Sequence, residues 1–247
     1  MDLFDRRGQQ ITDWRNWTRP KQDTQWRASR SAMELARAWF TSPVPVVPPE
    51  VAALLDSHSL ARGTVLSEAW PELKTPLPFP GESRNHDLVV LGEVRGHPLL
   101  LTVEGKVDET MGPRVGTYWK KSRETPRSRA WRRVDALLGA AFGAAASATE
   151  LPWRALPYQM LTALVGTAIE ADKRSCAIAV VCVHEFITES AREVALVRNT
   201  ADFRAFLAAL NQPKVSAGTL YGPFTVEVPR TGRRMPVLFG EAQYRWK

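Results

Sequence analysis

The chain has 247 residues, 44% of them hydrophobic and 24% charged, with a mean hydropathy of −0.25. That is the make-up of a globular protein with one large core or two small ones, and it excludes a disordered, collagen-like or disulfide-stapled chain. Thirty-three lysines and arginines against 26 acids give a net charge of +7, so polyanions are the expected partners.

Residues 1–25 are polar, with Trp14, Trp17 and several arginines in no regular period, and read as an N-terminal arm or loosely packed lead-in. Ser29 to Phe40 is helical in pattern, with Met33, Leu35, Ala36, Trp39 and Phe40 on one stripe. The proline-rich run Ser42–Pro49 ends it, and Pro49-Glu50 opens a second short helix through Leu55. Thr64 to Trp70 reads as a third helical piece, stopped by Pro71. Leu73–Leu77 is an edge or broken strand because of Pro76, Pro78 and Pro80. Asp87–Leu91 and Pro98–Val107 are strands joined by a hairpin turn over Gly92–His97. A basic, loop-like stretch leads to helices over Arg129–Ala146 and Leu156–Lys173, then a buried apolar strand, Cys176–Val183. Thr200 caps a helix to Leu210, and Phe224–Val228 and Pro236–Phe239 are the last strands. This order predicts a mixed α/β or α+β layout.

The two cysteines, Cys176 and Cys182, are six apart in that strand, which sets them about 20 Å apart along it and forbids a bond between them. Both are expected as reduced core residues, and no metal site is expected from them. The charged start Met1–Arg7, with no apolar stretch after it, does not read as a signal peptide, and the longest low-polarity run, Ala136–Thr149, is too short to span a bilayer. A cytoplasmic protein with no membrane partner is the expectation.

The informative segment is Asn85–Glu109. In the second strand Pro98, Leu100, Thr102, Glu104 and Lys106 share one face, so Glu104 and Lys106 project side by side at its C-terminal end. With Arg95-Gly96 as a two-residue turn, Val94 pairs with His97 and the same register sets Asp87 opposite Glu104. Directly opposed β-carbons lie about 4.5–5.5 Å apart, and two carboxylates so close need a cation between them. Oxygen ligands of this kind suit Mg²⁺, with Mn²⁺ as an alternative, and Lys106 would hold a phosphate oxygen or orient an attacking water.

Asp87, then Glu104-Gly105-Lys106 on the next strand, resembles the D…(D/E)-x-K signature of the PD-(D/E)XK nuclease superfamily, and the element order resembles its αβββαβ core. More narrowly, Arg30–Ala36, Pro71–Lys74, Val103–Glu109 and Tyr158–Leu161 resemble an uncharacterised bacterial family within it. The resemblance implies a restriction-endonuclease-like fold: a mixed central sheet flanked by helices, core about 64–185, within a single domain 26–247 that carries an N-terminal helical extension. It implies an Mg²⁺-dependent endodeoxyribonuclease with DNA as partner, a homodimer being one possible assembly. Asp87 and Glu104 match the metal-binding acids, Lys106 the catalytic lysine, and the backbone carbonyl of Gly105 a metal ligand. Glu72, with Glu68 as a lesser candidate, stands where many members add a glutamate. Gln159 matches a glutamine of the following helix. The chain departs from the pattern at His86, where the signature has proline.

Residues 114–133 hold eight cations, Arg114, Lys120, Lys121, Arg123, Arg127, Arg129, Arg132 and Arg133, against Glu124 alone, with Tyr118, Trp119 and Trp131 interleaved. This is the expected nucleic-acid-binding face. The alternative to a nuclease is a non-catalytic nucleic-acid-binding or protein-interaction module on the same fold.

Overall fold

A computed structural model describes residues 1–20, 25–40, 44–189 and 192–245. Seven strands form one mixed sheet: β1 (Asp2–Leu3), β2 (Val65–Thr75), β3 (Arg84–Val94), β4 (His97–Lys106), β5 (Ile178–Ile187), β6 (Leu220–Glu227) and β7 (Arg234–Arg245), in the order β1-β2-β3-β4-β5-β7-β6. Among the described residues six α-helices flank it: α1 (Ser31–Ala38), α2 (Pro49–Asp56), α3 (Val115–Glu124), α4 (Ala130–Phe142), α5 (Tyr158–Lys173) and α6 (Glu193–Ala209). The β2–β3–β4 meander is antiparallel, whereas β4, β5 and β7 run parallel. Parallel neighbours need long crossovers, and α3–α5 supply the one from β4 to β5.

Apolar alternation along the strands builds two cores. One lies under α3–α6 and contains Val89, Leu100, Val181, Leu161 and Phe206. The other lies under α1 and α2 and contains Leu88, Leu99, Leu101, Leu35 and Leu54. Both cysteines are buried and free. Among the described residues no helix is long and apolar enough to cross a membrane.

The β3–β4 hairpin forms in the expected register, Val94 with His97 through Leu88 with Val103. Arg95 (φ 51°) and Gly96 (φ 77°) are both left-handed, as a two-residue turn between twisted strands requires. Three expectations are corrected. Thr64–Trp70 is not helical but the first half of β2, because pairing along most of β3 outweighs local preference. Pro71 is tolerated there because β1 covers β2's outer edge only at Glu68 and Ala69. The basic stretch after β4 is not a loop but contains α3, whose buried face is thin, Val115 and Ser122. The described part of the lead-in, residues 1–20, is not loose: β1 joins the sheet, and Leu3, Ile11 and Trp17 are buried in the α1/α2 core, while residues 21–24 lie outside the described residues. Of the run Ser42–Pro49, residues 42 and 43 lie outside the described residues.

Beneath α6, Glu241 of β7 is buried next to Glu185 of β5, whose carboxylate accepts from Gln243. Burial and the Glu185 charge push Glu241 up to about 7, against the pull of Arg204. Its folded value lies above the ordinary 4.5, so the folded state holds a proton the unfolded state has lost between those values. Stability therefore falls as pH rises from about 4.5 to about 7. Glu241→Gln is expected to raise stability by about 1–3 kcal/mol at pH 8 and to leave it unchanged at pH 4, read by thermal melts at both.

Candidate functional site: a buried carboxylate–lysine cluster in a cationic cleft

Regular alternation in β3 would place Arg84 and His86 on the same face as Leu88 and Val90. Leu88 and Val90 do pack in the α1/α2 core, but Arg84 and His86 turn to α5. The face switches at Asp87. In β2, Leu73 pairs with His86 and Pro71 with Leu88, so Glu72 falls opposite Asp87, and Glu72 has a left-handed backbone (φ 56°). That conformation costs a non-glycine residue of order 1 kcal/mol and is the kind of strain found at functional sites. The two kinked strands present Glu72, Arg84, Asn85 and Asp87 toward the end of β4.

There the cluster closes. Asp87 Oδ2 accepts the Gly105 N–H at 2.9 Å. Glu104 is buried, and its two oxygens are held by three donors: Arg84 on Oε2, with Lys106 Nζ (3.1 Å) and Gln159 Nε2 on Oε1. Lys106, also buried, donates to Gln159 Oε1 at 3.0 Å. Asn85 donates to Glu72, and its own Oδ1 is buried without a partner. Gly166 of α5 lets Arg84 approach: a β-carbon there would sit 3.0 Å from Arg84 Cγ. The helix is further pinned to the sheet by Thr167 on Thr102 and by Glu170, which accepts from Thr75.

Each carboxyl responds to its surroundings. Burial, then the Glu104 charge, raises Asp87 well above the usual range, with Lys106 and Arg84 opposing. Burial also pushes Glu104 up, but the Arg84 guanidinium and Lys106 ammonium outweigh it and hold Glu104 below its ordinary value. Burial raises Glu72 despite the Asn85 hydrogen bond. His86, fully buried, is driven well below its usual value by burial and Arg84, so it is a neutral packing group beside α5.

Asp87, Glu104, Lys106, Gln159 and Glu72 are thus brought together on the floor of one cleft of about 1020 Å³. Glu68 does not line it. Among the described residues no group of three or more His, Cys, Asp or Glu side chains is close enough to hold a metal alone. Two carboxylates, a strand-end carbonyl and water are nonetheless a hard-oxygen set of the kind a small divalent cation accepts. Beyond β4, Glu109 accepts the Val107 and Ser31 N–H groups, bracing the loop.

The basic stretch is divided by the fold. Of its eight cations only Arg133 lines the cleft, and its role there is structural, donating to the carbonyls of Pro78, Phe79 and Glu82. Arg114 pairs with Asp202, and Lys120 lies near Glu124. Arg123 stacks between Trp119 and Trp131, and Arg132 lies over Trp131. Lys121, Arg127 and Arg129 also lie outside the cleft lining. Sequence reasoning missed Arg84 and Asn85. Regular alternation assigns Arg84 to the face away from Asp87, so no pattern in the sequence points to it.

Fold and site together define a mixed α/β protein with a buried carboxylate–lysine–glutamine cluster at the end of its central hairpin. Residues 7–242 match the family described as Domain of unknown function (DUF6946), and the chain belongs to that family. No curated protein matches it, and no solved structure does.

Proposed function

We propose that the protein is a metal-dependent nuclease that hydrolyses DNA phosphodiesters, built on a restriction-endonuclease-like core within its seven-stranded sheet. The observation that carries this reading is the convergence of Asp87, Glu104 and Lys106 at adjoining strand ends on the floor of a cleft. Asp87, Glu104 and the Gly105 carbonyl are the groups to hold Mg²⁺ or Mn²⁺. A bound divalent ion supplies Lewis-acid polarisation of the phosphate and a more acidic water.

The chain's own groups do the rest. Lys106, held by Gln159 and Glu104, points its ammonium at the floor, where it steadies the attacking water or the charge growing on phosphate oxygens. Gln159 fixes both partners in one geometry. Water oxygen bonds to phosphorus and gives up a proton to solvent, the bond to one ester oxygen breaks, and the leaving oxygen takes up a proton from solvent.

A second reading, a non-catalytic nucleic-acid-binding module, is favoured by the saturation of Glu104 with three donors, which makes the cluster a closed ion-pair network. The two separate in one assay. Purified protein is incubated with linear and circular duplex DNA, single-stranded DNA and RNA in Mg²⁺ or Mn²⁺. EDTA-sensitive cleavage, lost in Asp87→Asn, is the expected result. Salt-sensitive binding with no cutting under either metal selects the second reading.

A further inference from the structure

The cleft has a second wall that the basic stretch does not provide. It comes from described residues of the N-terminal segment and from β2: Arg6, Arg19, Arg27, Arg30 and Lys74 line the cleft and are all exposed. We infer that these cations form the track on which a DNA backbone lies, with its scissile phosphate over the Asp87–Glu104 floor. The inference rests on the nuclease reading for the position of the floor, and on the arm's own geometry for the track.

Three features make this wall more than a charged surface. First, it is preorganised. Leu3, Ile11 and Trp17 anchor the segment in the α1/α2 core, and Glu34 accepts the Ser29 N–H at 2.6 Å. Trp14 and Trp26 lie 6.4 Å apart, with Arg37 over Trp14 and Arg19 over Trp26. Cations held in place lose less entropy on binding a phosphate than cations on a loose tail. Second, the wall is tied to the floor. Arg6 lies 3.8 Å from Glu72, and Arg30 pairs with Asp108 just beyond β4. Third, among the described residues neither Arg19 nor Arg27 has a carboxylate within ion-pair distance. Elsewhere in the lining, Arg133 is engaged by backbone carbonyls, and the stacked Tyr118–Tyr158 pair (4.2 Å) offers flat rings. A polymer that carries both anions and flat rings fits this lining.

The test measures binding in EDTA, so that no cutting intervenes, by fluorescence anisotropy with single- and double-stranded 20-mer DNA at several salt concentrations. Arg19→Glu/Arg27→Glu is expected to weaken binding at least about tenfold and to flatten the salt slope by nearly two, about 0.9 for each duplex phosphate no longer neutralised. Arg230→Glu/Arg234→Glu makes the same charge change in and beside the β6–β7 turn, at the opposite edge of the sheet, and is expected to weaken binding much less. Equal losses of affinity in the two variants overturn the inference. So does a wild-type protein that binds no DNA, or a larger loss in Arg123→Glu/Arg132→Glu. The catalytic reading fails separately. Arm-dependent binding with no Mg²⁺- or Mn²⁺-dependent cutting leaves the track standing and removes the nuclease. Cutting with unchanged affinity in Arg19→Glu/Arg27→Glu does the reverse.

Discussion

Glu104→Ala is expected to lose cleavage and a large part of its stability together. The cleavage loss follows from removing a metal-holding oxygen pair and the anchor of Lys106. A loss of at least about 10²–10³-fold is the scale for deleting one electrostatic group from a reacting centre. The stability loss follows from burial: Glu104 is 5% exposed, Lys106 5% and Arg84 9%. Deleting the carboxylate leaves a buried guanidinium and a buried ammonium without their shared anion. Breaking a buried pair from one side costs about 3–5 kcal/mol. For a chain of this size that is a fall in melting temperature of roughly 10 °C. A cleavage assay and a thermal melt on the same preparation check both. A variant that melts like the wild type would mean that Arg84 and Lys106 find other partners. One that cuts at the wild-type rate would remove Glu104 from the chemistry.

Arg84→Met separates the two roles of Glu104. In the protein Arg84 occupies Glu104 Oε2, the oxygen a divalent ion would need, so guanidinium and metal compete for one carboxylate. Removing a positive charge from beside the site is expected to tighten Mn²⁺ binding about tenfold or more, a modest fraction of the repulsion between close charges in a protein. The metal-free variant is expected to melt lower, because Glu104 keeps only Lys106 and Gln159. Saturating Mn²⁺ should then raise its melting temperature more than it raises that of the wild type, since a ligand stabilises by its concentration relative to its dissociation constant. Calorimetric titration with Mn²⁺ and melts with and without it give the comparison. Equal affinities in the two proteins would show that Arg84 does not guard the site. The Glu104 and Arg84 results are linked, because both substitutions act on the same buried ion pair.

Much of this site is legible in the sequence because its chemistry is local. Arg95-Gly96 is a turn signal only two residues long, and it sets the register of a whole hairpin. From that register Glu104 and Lys106 follow by alternation along β4, whereas Asp87 reaches the Gly105 N–H where β3 departs from alternation. Gln159 is legible through its resemblance to a family motif, and α5 then delivers it to Glu104. Illegible are the departures from alternation. The kink at Glu72 and Asp87 turns Arg84 toward α5, and it exists because two strands bend together, which neither strand's sequence encodes by itself. Thr64–Trp70 departs from its helical pattern for a related reason: its partners are distant in the chain, from Glu93 opposite Val65 to Val89 opposite Trp70.

The charge excess shows the division most clearly. Sequence alone determined that the chain is basic, and that eight cations fall in residues 114–133. It could not determine which of them are free, because that depends on neighbours distant in the chain. Arg114 meets Asp202, and Arg133 meets the carbonyls of Pro78, Phe79 and Glu82. Nor could it bring Arg6, Arg19, Arg27 and Arg30 into the wall of a cleft. That took β1 pairing with β2, and Leu3, Ile11 and Trp17 reaching a core whose other members come from α1, α2 and the central strands. Hydrophobic burial between remote segments placed those arginines. The sequence determined the identity of the acids and the lysine; the tertiary structure decided which cations face them.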